Sequence, residues 1–252
     1  MFKRSYRKNI GLMAGVEFFA FLGITSFWIL FLSQNGMSLW QIGLLESIFH
    51  ATSVICEIPS GMLADRFSYK TNLYLSRIAG IVSSVLMLAG QGNFWVYALA
   101  MVISAWSYNF DSGTSAAMVY DSSVEAGIKE RYLSISSFMS GVAEATRSLG
   151  TVWAGFFVHG QLHLTYYIMI GTSIIVLFLT WMLKEPSIKA EKEERLTMKK
   201  IIWAVKEELQ RNPSLFIWMI LSQIIGTLMC MFYFYYQNQL PDLKDWQISV
   251  VM

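Results

Sequence analysis

The sequence has few charged residues for its length. Of its 252 residues, 14% are charged and 55% are hydrophobic, whereas soluble domains carry about 25% charged residues. The charges also cluster between long apolar runs instead of alternating with apolar residues. This composition excludes an ordinary soluble domain and indicates a protein that lies in a lipid bilayer.

Cysteine and the motifs of enzyme chemistry are also scarce. The two cysteines, Cys56 and Cys230, fall within apolar runs, where buried thiols are far more common than disulfides or metal sites. His159 and His163 have i,i+4 spacing, but they lie in a short loop, and we do not expect them to bind a metal. The sequence contains no Gly-x-Ser-x-Gly, no phosphate loop and no basic–aromatic motif. We therefore expect no enzymatic activity, metal, cofactor or nucleic-acid partner.

The sequence does contain a series of apolar runs, each long enough to span a membrane. A helix needs about 20 mostly apolar residues to cross the bilayer core, and barrel strands would alternate in polarity. The runs do not alternate, so we predict an all-α polytopic membrane protein. The predicted spans cover residues 10–33, 41–64, 72–91, 94–120, 133–158, 164–183 and 213–239. The first run is too long for a signal peptide and lacks a cleavage site, so we interpret it as a retained span.

The positive charges indicate how the chain is oriented. All but two of the 19 lysines and arginines fall at the N-terminus, around residues 66–77, in the 121–132 loop or in the 184–212 segment. If the spans alternate, these segments share one side of the membrane. The positive-inside rule then predicts a cytoplasmic N-terminus. We expect a multi-pass protein of the cell (plasma) membrane.

An internal repeat divides the chain. Gly23, Ser33-Gln34-Asn35 and Trp40-Gln41-Ile42 recur in order as Gly226, Tyr236-Gln237-Asn238 and Trp246-Gln247-Ile248. The end of span 7 thus resembles the end of span 1, and the chain stops at Met252, within the predicted span 8. Six spans, a charged linker and a second unit that begins in the same way are the layout of a duplicated transporter. The predicted domains are a six-helix half at 1–183, a linker at 184–212 and the beginning of a C-terminal half at 213–252. We expect the sequence to be C-terminally truncated.

The linker has an amphipathic pattern. Charges of both signs are dense from Lys189 to Lys200, and apolar residues recur at helical spacing at Met198, Ile201, Val205 and Leu209. This pattern predicts a helix on the cytoplasmic membrane face. A solvated tether is one interpretation of it, and a regulatory or partner-binding helix is the other.

Three motifs resemble a known family. Gly61-x-x-x-Asp65-Arg66-x-x-x-Lys70 follows span 2, Glu57-Ile58-Pro59-Ser60 precedes it, and Ser112-Gly113-Thr114 leads to Tyr120-Asp121 in span 4. Together with the layout, which covers the whole chain, they resemble the major facilitator superfamily, and specifically its bacterial, efflux-type branches. Ser68 and Tyr69 stand where that family usually has glycine and a basic residue. The resemblance implies a major-facilitator-like bundle and transport by alternating access.

The turn between spans 2 and 3 is a candidate conformational latch. Gly61 allows a neighbouring helix to approach closely, and Asp65 and Arg66 lie at a helix end, where charges reach water. Asp121 is a candidate partner for Arg66 or Lys70. Contacts of this kind would form in one conformation and break in another. The alternative is an ordinary charged loop that only sets the topology.

Charged side chains inside the spans are candidates for substrate or proton coupling, because buried charges in a membrane are costly and face cavities or each other. Glu144 and Arg147 are i,i+3 neighbours on span 5, and we expect Arg147 to pair with Glu144, Asp111 or Glu17. Each candidate could instead have a structural or solvent-exposed role. The candidates are Glu17, Asp111, Glu144, Arg147, His50 and Glu57, and Glu46 shares a face of span 2 with His50 and Glu57.

These features predict a transporter of a small molecule that is coupled to protons and functions in efflux, acting as a monomer in the bilayer. The Gly-Pro motif that drug/proton antiporters often carry in span 5 is not present, since Gly141, Gly150 and Gly155 recur there without proline. A proton-coupled importer of the same fold is the first alternative. A non-transporting membrane protein, as a truncated remnant or partner subunit, is the second.

Overall fold

The computed structural model describes residues 5–64, 67–111 and 113–187, with only the backbone of 58–64, and further residues 203, 207, 210–214, 217–218, 221, 224–225 and 228–229. Residues 5–187 contain eight α-helices and two short 3₁₀-helices, at Gly23–Thr25 and Lys129–Arg131, and no β-strand occurs in these ranges. The α-helices are α1 (Tyr6–Ala20), α2 (Trp28–Gln34), α3 (Leu39–Ala64), α4 (Tyr69–Ala89), α5 (Phe94–Asp111), α6 (Thr114–Glu125), α7 (Tyr132–Gly155) and α8 (His163–Met182). The predicted all-α architecture is confirmed.

The first predicted span, at 10–33, is not one continuous helix. The structure divides it into α1, the 3₁₀-turn at Gly23–Thr25 and α2. The break is held by tertiary contacts, because Ser26 Oγ donates to Gly23 O at 2.6 Å and is 2.7 Å from Thr151 Oγ1 on α7. A Cβ atom at Gly23 would collide with the backbone oxygen of Arg147, so only glycine allows this close approach.

The fourth predicted span, at 94–120, is also broken. Helix α5 ends at Asp111 and α6 begins at Thr114, with Gly113 between them at φ +79°. That left-handed conformation is readily available only to glycine, so Gly113 allows the change of direction. The other predicted spans of the first half each correspond to one main helix: α3, α4, α7 and α8.

The helices pack so that α4 and α1 hold the bundle together. Helix α4 packs between α5 and α8, α3 packs on α5, and α1 contacts α6, α7 and α8. Side chains from α1, α4, α6, α7 and α8 meet in one apolar core. Its buried members are Met13, Val16, Leu73, Met118, Val119, Met139, Val176 and Leu183. This core surrounds one part of the polar interior described below.

Four helical stretches in the described part of the chain are long and apolar enough to cross a membrane. They are Tyr6–Gln34, Leu39–Glu57, Tyr69–Ala89 and His163–Met182. Helices α5, α6 and α7 are not among them, and these helices carry Asp111, Glu144 and Arg147. The four apolar stretches also carry charged residues of the interior, among them Glu17 and Arg77.

Contacts divide the chain into two compact units. The first contains α1–α8, and the second contains the described residues from 203 to 229, of which all but Asn212 are helical. Arg211 Nη2 and Glu207 Oε1 lie 3.8 Å apart there, at i,i+4 spacing. The domain boundaries at 183 and 212 stay predictions, and the repeat at 236–248 and most of the amphipathic linker lie outside the described residues.

Candidate functional site

The bundle contains an open cavity of about 750 Å³. That volume lies within the range of about 300–1,000 Å³ typical of small-molecule sites. Its walls combine serine hydroxyls, aromatic rings and five charged side chains. The lining includes Glu17, Phe21, Phe49, Ser76, Arg77, Ser104, Ser107, Tyr108, Asp111, Ser115, Tyr132, Ser136, Ser140, Glu144 and Arg147.

An ion pair between α4 and α5 lies in the wall of this cavity. Arg77 Nη2 is 2.7 Å from Asp111 Oδ2, and the two side chains are only 9% and 17% exposed. Ser115 Oγ, in the first turn of α6, donates to Asp111 Oδ1 at 3.0 Å. Asp111, the last residue of α5, therefore accepts from both α4 and α6.

Two enclosed polar atoms of α4 lie beside the ion pair. Arg77 Nε and Ser76 Oγ are buried and have no hydrogen-bond partner among the residues that the structure describes. A buried donor without a partner costs about 1–3 kcal/mol. The arginine is thus held by Asp111 through Nη2, while its Nε donor has no partner among the described residues.

Arg77 is a residue of the cavity wall that the sequence pattern does not single out. In the sequence it counts among the positive charges around residues 66–77, yet the structure places it inside α4, 8% exposed. The available signal was its position several residues inside the predicted span 72–91. A cation at that depth needs an acidic partner, and Asp111 is that partner.

Arg147 pairs with Glu144 on its own helix. Arg147 Nη1 is 3.4 Å from Glu144 Oε1, and the two side chains are 50% and 68% exposed. The Arg147 guanidinium carbon also lies 5.4 Å from the centre of the Phe21 ring. Of the three acids expected as partners, the structure thus selects Glu144, since Asp111 is held by Arg77.

Glu17 differs from the other cavity acids. Its carboxylate makes no hydrogen bond or ion pair with any residue in the described ranges, although Arg77 and Asp111 lie near enough to act on it electrostatically. It is half-buried on α1, one turn before Phe21. Glu17 is therefore the acid of this site that is open to a ligand or a proton.

A second cavity of about 320 Å³ adjoins the first and shares Phe49, Ser104 and Ser107 with it. Glu46 lines the second cavity, and its Oε1 atom is 3.2 Å from Nε2 of His50, which is 66% exposed. The predicted polar face of span 2 is only partly assembled around this cavity, because Glu57 is exposed and lines neither of the two cavities.

The polar groups at one end of the bundle form a dense network. We call this the turn end: the beginnings of α1 and α4, the end of α6 and residues 183–187. Tyr69 Oη donates to Asp121 Oδ2 at 2.7 Å, and Lys70 Nζ donates to the carbonyls of Trp181 and Leu183, each at 3.0 Å. Of the predicted latch, Asp65 and Arg66 lie outside the described residues and Gly61 is described only in its backbone.

Residues 183–187 are fixed at the turn end by two polar side chains. The Glu185 carboxylate accepts from the Tyr69 and Lys70 backbone N–H groups, at 2.7 and 3.1 Å. The buried Asn9 amide donates to Lys184 O at 2.7 Å and accepts from Lys184 N at 2.9 Å. Ser68 Oγ caps α4 by accepting from Thr71 N. The two positions that depart from the family pattern, Ser68 and Tyr69, are thus both used in this network.

A helical bundle with apolar spans and a charged cavity between them has the architecture of a membrane transport protein. The sequence model of the Major Facilitator Superfamily matches residues 10–249, and the chain belongs to that superfamily. It is therefore a multi-pass membrane protein of a superfamily of secondary transporters. A search of the curated proteins found no match.

Proposed function

We propose that the protein is a proton-coupled secondary transporter that moves a small molecule by alternating access, in the direction of efflux. One observation carries the proposal: a cavity of about 750 Å³ among the spans is lined by the buried Arg77–Asp111 pair and by Glu17, which has no ion-pair partner among the described residues. Charged side chains are retained inside membrane spans chiefly where they serve ions, protons or substrates.

Proton coupling needs a carboxylate that is accessible in one conformation and paired in another. Glu17 and Asp111 are our candidates. Asp111 is held by Arg77 and Ser115, whereas Glu17 has only electrostatic neighbours among the described residues. A movement of α1 relative to α4 and α5 would change which carboxylate Arg77 neutralises, and with it which one takes a proton.

Direction, location and orientation are also part of this proposal. The direction of efflux rests on the resemblance of the 61–70 turn and the span 4 motif to efflux-type branches. The cytoplasmic N-terminus and the plasma membrane rest on the positive charges of the turn end. A proton-coupled importer would use the same cavity, so the experiment below must measure direction as well as coupling.

The test uses full-length protein in proteoliposomes with a pH-sensitive dye inside. Addition of solutes from a chemically varied panel, under an imposed pH gradient, should produce proton movement with at least one of them. Asp111→Asn and Arg147→Ala should reduce that movement, and Glu130→Gln, an exposed acid outside both cavities, is the matched control. Solute flux that is indifferent to the pH gradient and to these variants would contradict coupling.

Direction is measured in cells. Cells that express the protein should accumulate less of the identified solute and should resist its toxic analogues better than cells without it. Greater accumulation would instead establish the importer. If the full-length protein moves no solute of the panel in either direction, the non-transporting alternative is favoured.

A further inference from the structure

Among the residues that the structure describes, the charges that line the large cavity do not balance. These charged side chains are Glu17, Arg77, Asp111, Glu144 and Arg147. Two ion pairs, at 2.7 Å and 3.4 Å, neutralise four of them. The remaining charge is the Glu17 carboxylate, which finds no hydrogen bond or ion pair in the described part of the chain. An acid at this depth in a membrane bundle favours a cation beside it.

The cation cannot readily come from within the cavity wall. Arg77 is committed to Asp111 through Nη2, and its Nε atom is enclosed by protein. Arg147 lies with Glu144 on α7 and over the ring of Phe21. An arriving ligand that carries its own positive charge would complete the site without breaking either pair.

Aromatic rings line the same cavity as the Glu17 carboxylate. Phe21 follows Glu17 by one turn on α1, and Phe49, Tyr108 and Tyr132 also line the cavity. Ring faces attract cations within about 6 Å of their centres. The Arg147 guanidinium, 5.4 Å from the centre of the Phe21 ring, shows that this wall already accepts a positive charge.

The lining also favours an organic cation over a bare metal ion. Among the described residues there is no group of three or more His, Cys, Asp and Glu side chains that could hold a metal. Three serine hydroxyls of the wall, on Ser104, Ser136 and Ser140, have no hydrogen-bond partner within the described ranges. They can donate to or accept from polar groups of a larger molecule.

We propose that the large cavity binds a small organic cation, with Glu17 as its counter-ion, Phe21 as part of its aromatic wall and the three serines as hydrogen-bonding partners. The inference rests on the proposed function, since it names the substrate class of that transporter. It predicts that positive charge on the ligand, more than its size or shape, determines binding.

Binding to full-length protein in nanodiscs tests this, with empty nanodiscs subtracted. The probes are choline, benzyltrimethylammonium and tetraphenylphosphonium, compared respectively with 3,3-dimethylbutanol, neopentylbenzene and tetraphenylborate, which match them in shape but lack the positive charge. At least one cation should bind more tightly than its counterpart. Glu17→Gln should weaken it by about 10- to 100-fold, because the variant loses the attraction between the carboxylate and the cation in a site that is screened less than bulk water.

Two further variants make the result specific. Glu17→Asp keeps the charge and should preserve cation selectivity, which separates the role of the charge from a folding defect. Glu130→Gln should change nothing, because Glu130 lies on the exposed 3₁₀-helix outside the cavity.

The inference is overturned if no cation binds in preference to its counterpart, or if Glu17→Gln binds the cations as tightly as the unchanged protein. Proton-coupled flux of a neutral or anionic solute would also overturn it, while leaving the proposed transport function standing. Failure of the transport function itself would be seen separately, as the absence of any solute-driven proton movement in proteoliposomes.

Discussion

The turn end and the large cavity use similar polar side chains in opposite ways. At the turn end, Asn9 and Glu185 each make at least two hydrogen bonds to neighbouring segments. In the cavity, Glu17 and the hydroxyls of Ser104, Ser136 and Ser140 make none with the residues that the structure describes. Satisfied buried polar groups fix one arrangement of the chain, whereas unsatisfied ones are available to a ligand.

The difference has a structural origin. The turn end joins helix ends, whose free backbone N–H and C=O groups require partners. Apart from the break between α5 and α6, the cavity is lined mainly from helix interiors, where backbone groups are already paired and side chains are free to serve other molecules. Substitutions at the turn end should therefore lower stability, and substitutions in the cavity should chiefly lower transport.

The Arg77–Asp111 pair is an exception among the cavity residues, because its disruption should lower stability. Arg77→Met leaves Asp111 buried without its cation and should lower the free energy of unfolding by about 3–5 kcal/mol. The double variant Arg77→Met with Asp111→Leu removes both charges and should be distinctly more stable than the single variant. Thermal unfolding of the purified protein in detergent measures both. Equal losses of stability in the single and double variants would show that the loss does not come from an unpaired Asp111 carboxylate.

Asn9 tests the turn end directly. Asn9→Ala removes bonds to Ser122 Oγ and to both backbone groups of Lys184, and leaves buried polar groups without partners. We expect a loss of about 3 kcal/mol in the free energy of unfolding. Hydrogen exchange at residues 183–187 should increase in the same variant. Unchanged exchange there would mean that Asn9 does not hold this segment.

Hydropathy and run length were sufficient to predict the all-α fold and the six helical regions of the first half. They could not predict the breaks in spans 1 and 4, because a glycine in an apolar run is compatible with a continuous helix. At Gly23 the break is held by α7, which is distant in sequence. At Gly113 it depends on a left-handed backbone conformation that hydropathy does not encode.

The same limit applies to the site. The Glu144–Arg147 pair could be predicted, since i,i+3 spacing on one helix brings the side chains together. The Arg77–Asp111 pair could not, because it depends on how α4 and α5 are rotated against each other. At the turn end, Asp121 is predicted to pair with Arg66 or Lys70 of the 61–70 turn, whereas in the structure it accepts from the hydroxyl of Tyr69. Tyr69 departs from the family pattern, so the pattern does not predict this contact.

The close contact between span 1 and α7 provides a third test. It does not depend on the hydrogen bonds of the turn end or of the large cavity. A Cβ atom at Gly150 would collide with the backbone of Gly23, whereas a Cβ at Gly141 on the same helix would meet nothing within 4 Å. Gly150→Ala should therefore cost about 2 kcal/mol of stability through overpacking. Gly141→Ala is the matched control and should be neutral or slightly stabilising, because alanine favours the helix. Similar melting temperatures for the two variants would contradict the close approach.

Substitution of Glu185 should have the smallest effect on stability, and it distinguishes a structural contact from a conformational latch. Its carboxylate accepts from the first N–H groups of α4, where the helix dipole also favours a negative charge. Glu185→Gln keeps the shape but loses the charge, and should lower the free energy of unfolding by about 1 kcal/mol. Hydrogen exchange should rise in the first turn of α4 and stay unchanged around Glu17. If the turn end is part of a conformational latch, Glu185→Gln should also alter flux at unchanged cation affinity, whereas a purely structural contact would leave flux per folded molecule as it was.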